Sequence, residues 1–192
     1  MPKQKIAKEM VVNAAFELAR SGGMEQVLVK SIAEKLGCSV QPIYSYCKNM
    51  GELRRNIEVK AKNFIQDYLA IHIDKDDLFR STGQAYIQIA KNEPHLFRLF
   101  MLQQREGISS LKELYQTETS PEVAPAIAQK YNISLAKAKY LHLNMLVYTI
   151  GLGTIFSVST PGIAAEEIFG LQEDACQAFL KLLSENGDKK NG

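Results

Sequence analysis

The chain has 192 residues, 46% of them apolar, and 23 Lys and Arg against 21 Asp and Glu give a formal net charge of +2. That length allows one sizeable core, or a small module joined to a larger one, and the charge excludes both a polybasic tail protein and a strongly acidic one. The balance hides an uneven distribution: residues 1–60 carry ten basic and six acidic residues (net +4), residues 61–192 carry 13 and 15 (net −2).

The first residues are charged and lack the apolar run of a signal peptide. Ile6, Met10, Ala14 and Leu18, flanked by Val11 and Ala15, make one helical stripe that stops at Ser21, Gly22 and Gly23. A short helix is expected over Val29–Leu36, with Ser31 and Glu34 spaced as a capping box and Gly37 as its end. Ser39 offers an N-cap to a third short helix that reaches Tyr46. Beyond a turn at Lys48 and Asn49, a long helix carries Leu53, Ile57, Ala61, Phe64, Ile65, Tyr68 and Leu69 on one face. Asp74, Asp76 and Asp77 suit the N-terminus of the following helix, which bears Leu78, Ala85, Tyr86, Ile89 and Ala90 and ends before Pro94.

Residues 96–101 are densely apolar, 105–124 read as a short helix and a loop, and 125–131 as a helix. Two longer helices close the chain, over about 134–157 with Ser134 as cap and over about 164–183, where Ile168, Leu171, Ala175, Phe179 and Leu182 recur every three or four positions. Strand signals are nearly absent, so the expected fold is all-α with about nine helices. The most apolar stretch, 143–158, is 16 residues long and contains Asn144, Tyr148, Thr149, Thr154 and Ser157. It reads as a buried helix, too short and too polar to span a bilayer. Cys38, Cys47 and Cys176 are odd in number and form no CxxC pair, which argues against a disulfide framework and for a cytoplasmic protein without a membrane segment.

The most informative spacing lies in 29–46. Ala33 is small where two helices would cross, Gly37 can make the turn, and Ile43 can bury the second helix, which is the requirement of a helix-turn-helix. Such a second helix presents its N-terminal side chains to the DNA major groove. Here they are Ser39, Val40, Gln41 and Pro42, then Tyr44, Ser45 and Tyr46. Gln41 suits an adenine edge, and Val40 or Pro42 a thymine methyl. The same spacing also occurs in helical hairpins without a DNA role, and Tyr44 and Tyr46 could simply pack.

The surroundings resemble the TetR family of transcriptional repressors. The resemblance covers roughly residues 6–57: Ala14 to Leu18, the Gly22-Gly23 break, Ser31-Ile32-Ala33, Leu36-Gly37-Cys38-Ser39, Ile43-Tyr44, Tyr46, Lys48-Asn49 and Leu53. It implies a helix-turn-helix DNA-binding domain at 1–48 and a helical ligand-binding and dimerisation domain at 49–192. By position it makes 39–46 the recognition helix. Lys30 and Tyr44 would then touch phosphate, and Tyr46 and Lys48 would fix the far side. Two residues depart from the family pattern. Cys47 replaces an aromatic residue, and Met50 replaces a phosphate-touching Lys, at a cost of about one phosphate contact.

The resemblance further implies a homodimer paired through the last two helices, a palindromic double-stranded DNA operator, and a small, largely apolar effector that releases DNA. Tyr68, Tyr86, Phe97, Phe100, Tyr115, Asn144 and Tyr148 are the candidate effector-binding residues, although core packing explains each one singly. No enzyme is expected, with no catalytic residue, metal or cofactor. Gly151 and Gly153 follow no strand. An EF-hand loop from Asp74 would have Phe79 and Ala85 where it needs Gly and Glu. His95 and His142 lack zinc-site spacing, and Ser109 and Ser110 lack a nucleophile elbow. The alternative is a helical small-molecule-binding or protein-interaction module with lost or weak DNA binding, supported by Cys47, Met50 and the low charge.

Overall fold

The computed structural model describes residues 6–46, 49–102, 107–159 and 162–188. The fold is all-α, with ten α-helices among the described residues where spacing gave about nine. They are α1 (Lys8–Gly22), α2 (Val29–Leu36), α3 (Gln41–Tyr46), α4 (Met50–His72), α5 (Leu78–Asn92), α6 (Pro94–Met101), α7 (Leu111–Glu118), α8 (Val123–Tyr131), α9 (Leu135–Ser159) and α10 (Ala165–Asp188). Compact packing divides the chain into a first unit of residues 1–68 and 93–103 and a second of 69–92 and 104–192. This division by compactness runs elsewhere than the functional boundary read after residue 48: most of α4 and all of α6 pack with the first three helices.

The first unit is built from small and branched residues. Ala14, Ala15 and Ala19 of α1 and Ala33 of α2 let backbones approach closely, while Val11, Ile32, Ile43, Leu53, Ile57 and Leu96 fill one contiguous core. Ile32, Ile43, Leu53 and Ile57 are fully buried. Gly23 ends α1 at φ 85° and ψ 173°, a conformation open essentially to glycine alone. The Arg20 guanidinium donates to both Glu93 carboxylate oxygens, at 2.9 and 2.5 Å, and lies 4.8 Å from the Phe64 ring centroid. This paired and stacked group ties α1 to α6 and α4.

In the second unit, α5, α8 and α10 all pack against α9. Val123 and Ile127 of α8, Ala138, Leu141 and Met145 of α9, and Cys176 and Leu183 of α10 form its core. Ser134 caps α9 as expected, its hydroxyl accepting the Lys137 N–H at 3.3 Å. Ser110 caps α7 in the same way, and the Glu113 carboxylate takes the Ser109 N–H at 2.7 Å. Asn132, in the left-handed region at φ 50°, ends α8 and brings the Ile133 N–H to the Ala128 carbonyl at 3.1 Å.

Two expectations about the long helices need correction. The 16-residue apolar stretch belongs to a 25-residue helix, long and apolar enough over Leu135–Val158 to cross a membrane by length and composition, so the length objection lapses. What sets α9 apart from a lone span is the packing of three helices on it. In α10, the stripe read from spacing is also displaced. Leu171 and Leu182 are exposed, while Ile168, Gln172, Cys176 and Leu183 turn inward. On α9, Val147, Ile155 and Val158 are likewise 55–64% exposed, with Gly151 between them. The two helices thus carry apolar side chains on their outward faces.

Candidate nucleic-acid interface and effector cavity

The turn between α2 and α3 is set by Gly37, at φ 64° and ψ 34°. Its N–H donates to Glu34 O at 3.1 Å and the Cys38 N–H to Ala33 O at 3.0 Å, satisfying the last carbonyls of α2. A Cβ at Gly37 would meet nothing within 4 Å, so the demand for glycine is conformational and not steric. The capping box is not formed: Leu28 holds the N-cap position without a side-chain bond, and Ser31 is the third helical residue, inside the first turn. Ser39 is not the cap of α3 either. Val40 precedes its first residue, and the Val40 carbonyl accepts from the Ile43 and Tyr44 N–H groups at 3.1 and 3.3 Å.

Ile43 is fully buried, which fixes the rotation of α3 about its axis and leaves the opposite face outward. Tyr44 is 59% exposed and Val40 41%, and Ser39, Gln41 and Ser45 are exposed beside them. The Ser45 hydroxyl donates to Gln41 O at 3.2 Å, so its proton is held within α3. Pro42 is half-buried, as is Tyr46, which packs against the core. Lys30 is exposed in the first turn of α2. Lys48 and Cys47 lie outside the described residues. Asn49 caps α4 by accepting the Glu52 N–H at 2.7 Å, and Met50 begins the helix 43% exposed.

The second unit contains a cavity of about 290 Å³. Its apolar wall includes Phe79, Val123, Met145, Leu146 and Phe169. Polar groups interrupt that wall. His142 Nδ1 lies 2.9 Å from the Tyr115 hydroxyl, with the Tyr115 and Phe79 rings edge-on to the imidazole; burial pulls this histidine down to about 4, so it is neutral at ordinary pH. Burial, reinforced by the Glu118 carboxylate, pushes Tyr86 up to about 12. Burial also raises Tyr131, whose hydroxyl lies 3.7 Å from the Cys176 sulfur. Gln172 Nε2 donates to Thr149 Oγ1 at 3.0 Å, and Gln172 Oε1 is buried without a partner. Among the described residues, no group of three or more His, Cys, Asp or Glu is arranged to hold a metal ion.

The seven candidate effector residues are distributed over both units. Tyr86 lines the cavity, and Tyr115 stands behind it, holding His142. Asn144 and Tyr148 line a separate groove with Leu111, Leu143, Val147 and Phe179. Tyr68, Phe97 and Phe100 belong to the first unit, where Phe97 is 1% exposed. The reading by residue type missed His142, Thr149 and Gln172. Their signal was available as position: Gln172 falls between Ile168 and Cys176 on the inward face of α10, and His142 between Ala138 and Met145 on α9.

No protein-family model and no curated protein matches the chain. Its fold is similar to a crystal structure of a transcriptional regulator from Rhodococcus sp. Rha1, with a TM-score of 0.58 over 92% of this chain and 97% of that one, at 13% identity. At that identity the likeness is one of fold.

Proposed function

We propose that the chain is a ligand-responsive, homodimeric, DNA-binding transcriptional regulator, a repressor of the TetR kind. Its DNA-binding segment is 1–48 and its effector-binding and dimerisation segment 49–192. The observation that carries this reading is the Gly37 turn followed by a helix whose Ile43 is fully buried while Val40, Gln41, Tyr44 and Ser45 face outward. The fold shared with a transcriptional regulator supports it, as does the excess of basic residues in 1–60. In this reading Gln41 and Val40 meet base edges, and Tyr44 and Lys30 meet phosphate. The outward apolar positions of α9 and α10 pair with those of a second copy, and a small apolar effector occupies the cavity and releases DNA by favouring one spacing of the two recognition helices. The protein works in the cytoplasm and needs no cofactor.

Selection of bound duplexes from a random DNA pool tests this. An imperfect palindrome with half-sites a helical turn or more apart is expected; recovery of no enriched sequence at any salt concentration contradicts it. The second reading, a helical ligand-binding module with weak DNA binding, is favoured by exposed Met50, an apolar side chain at the N-terminus of α4 where a cation would meet phosphate.

A further inference from the structure

Two polar groups in the cavity wall have hydrogen-bonding capacity that the described residues leave unused. His142 is 8% exposed and lines the cavity, with its Nδ1 turned to the Tyr115 hydroxyl behind the wall. The other ring nitrogen, Nε2, is bonded to no described residue, and it keeps open surface where Gln172 Oε1 is sealed. The hydroxyl of half-buried Tyr86, on α5, is the second such group: it lines the same cavity, is bonded to no described residue and is not sealed either. At ordinary pH the imidazole is neutral and Tyr86 keeps its proton, so the wall offers a phenolic O–H and a ring nitrogen, both without charge.

The formal charges in the lining, by contrast, are already engaged. Arg80 Nε lies 3.6 Å from a Glu173 carboxylate oxygen, Glu122 accepts from the Ser120 hydroxyl, and Glu118 has a partner of its own. An ionic ligand would therefore give up its water against a mostly apolar wall whose charges are spoken for. A pure hydrocarbon would strip water from His142 and Tyr86 and return no partner to either. A hydroxyl avoids both costs. It accepts from the Tyr86 O–H, and it answers either tautomer of His142, donating to a bare Nε2 or accepting from Nε2–H.

We infer that the cavity takes an uncharged apolar molecule bearing hydroxyl, with His142 Nε2 and the Tyr86 hydroxyl selecting its oxygen and Phe79, Met145 and Phe169 holding its hydrocarbon body. This rests on the effector reading given above and names the chemistry of that same site. At about 290 Å³ the cavity is at the small end for ligand sites and fits a compact molecule of this kind.

Titration calorimetry of the full-length protein with octanol, octanoate and octylamine at neutral pH tests it, since the three probes share one apolar body and differ in headgroup. Octanol is expected to bind at least about tenfold more tightly than either ion, because burying an unpaired charge costs more than one hydrogen bond returns. His142→Phe and Tyr86→Phe should each weaken octanol about three- to tenfold, the effect of one hydrogen bond. Tyr86→Phe removes a single oxygen and keeps the ring, so it decides alone if His142→Phe does not fold. Octanoate or octylamine binding as tightly as octanol overturns the uncharged class and leaves an effector cavity standing. An octanol affinity unchanged by the substitutions overturns the assignment of these two residues. Binding of none of the three probes overturns the assignment and the effector reading together, whatever the DNA experiments show.

Discussion

The two units use different residues to different ends. In the first, alanines and branched residues lock short helices so that one buried side chain, Ile43, determines what α3 presents outward. In the second, longer helices enclose polar groups: His142 leans on Tyr115, Gln172 on Thr149, and Tyr131 on Cys176. A close-packed core of small residues leaves no room for a guest, whereas a wall of aromatic, Met and amide side chains leaves a cavity and the means to orient what fills it. Rigidity suits the proposed role of α3 in reading DNA.

The contrast makes graded predictions. The largest effect belongs to Ile43→Ala, which should destabilise the first unit by about 2–5 kcal/mol through lost burial and a cavity beneath α3. Hydrogen exchange of the α2 and α3 amides should accelerate accordingly, and unchanged protection would mean that Ile43 does not anchor the helix.

The second unit should show a pH dependence. His142 titrates at about 4 when folded against an ordinary 6.5, so the unfolded chain takes up a proton that the folded one refuses. Stability is therefore fully present above about 6.5 and falls as pH drops toward 4, by about 3 kcal/mol in all. Denaturant midpoints measured across that range should decline, and His142→Gln should flatten the decline.

Somewhat smaller is the effect of Ile155→Glu. It should weaken self-association by about 2 kcal/mol through loss of one apolar contact per subunit, read by sedimentation. Smallest is Gly37→Ala, which meets open space but must hold a left-handed conformation, at a cost of about 1–2 kcal/mol in thermal denaturation.

The first unit was largely legible because its determinants are local. The span of α2, the glycine turn and the end of α3 follow from residues within a few positions of one another. The caps were misread because Ser31 and Ser39 satisfy a pattern of residue types, while the backbone begins each helix at a different residue. The cavity was scarcely legible, since it depends on which faces of α5, α8, α9 and α10 meet. Aromatic residues were a poor guide. Phe97 fills the other unit's interior, whereas the informative residues were the polar ones on inward faces, Gln172 and His142. Leu171 and Leu182 misled for the converse reason, being apolar on an outward face.

Binding of Gln41→Ala and Tyr44→Phe to a selected operator and to a scrambled duplex, at several salt concentrations, tests the central claim most directly. The wild type should bind the operator preferentially, and more weakly as salt rises. Gln41→Ala should lose about 1–3 kcal/mol on the operator and little on the scrambled duplex, while Tyr44→Phe should weaken both alike. Wild-type affinity in both variants, or no preference for any duplex, would contradict the assignment of α3 as the helix that reads DNA.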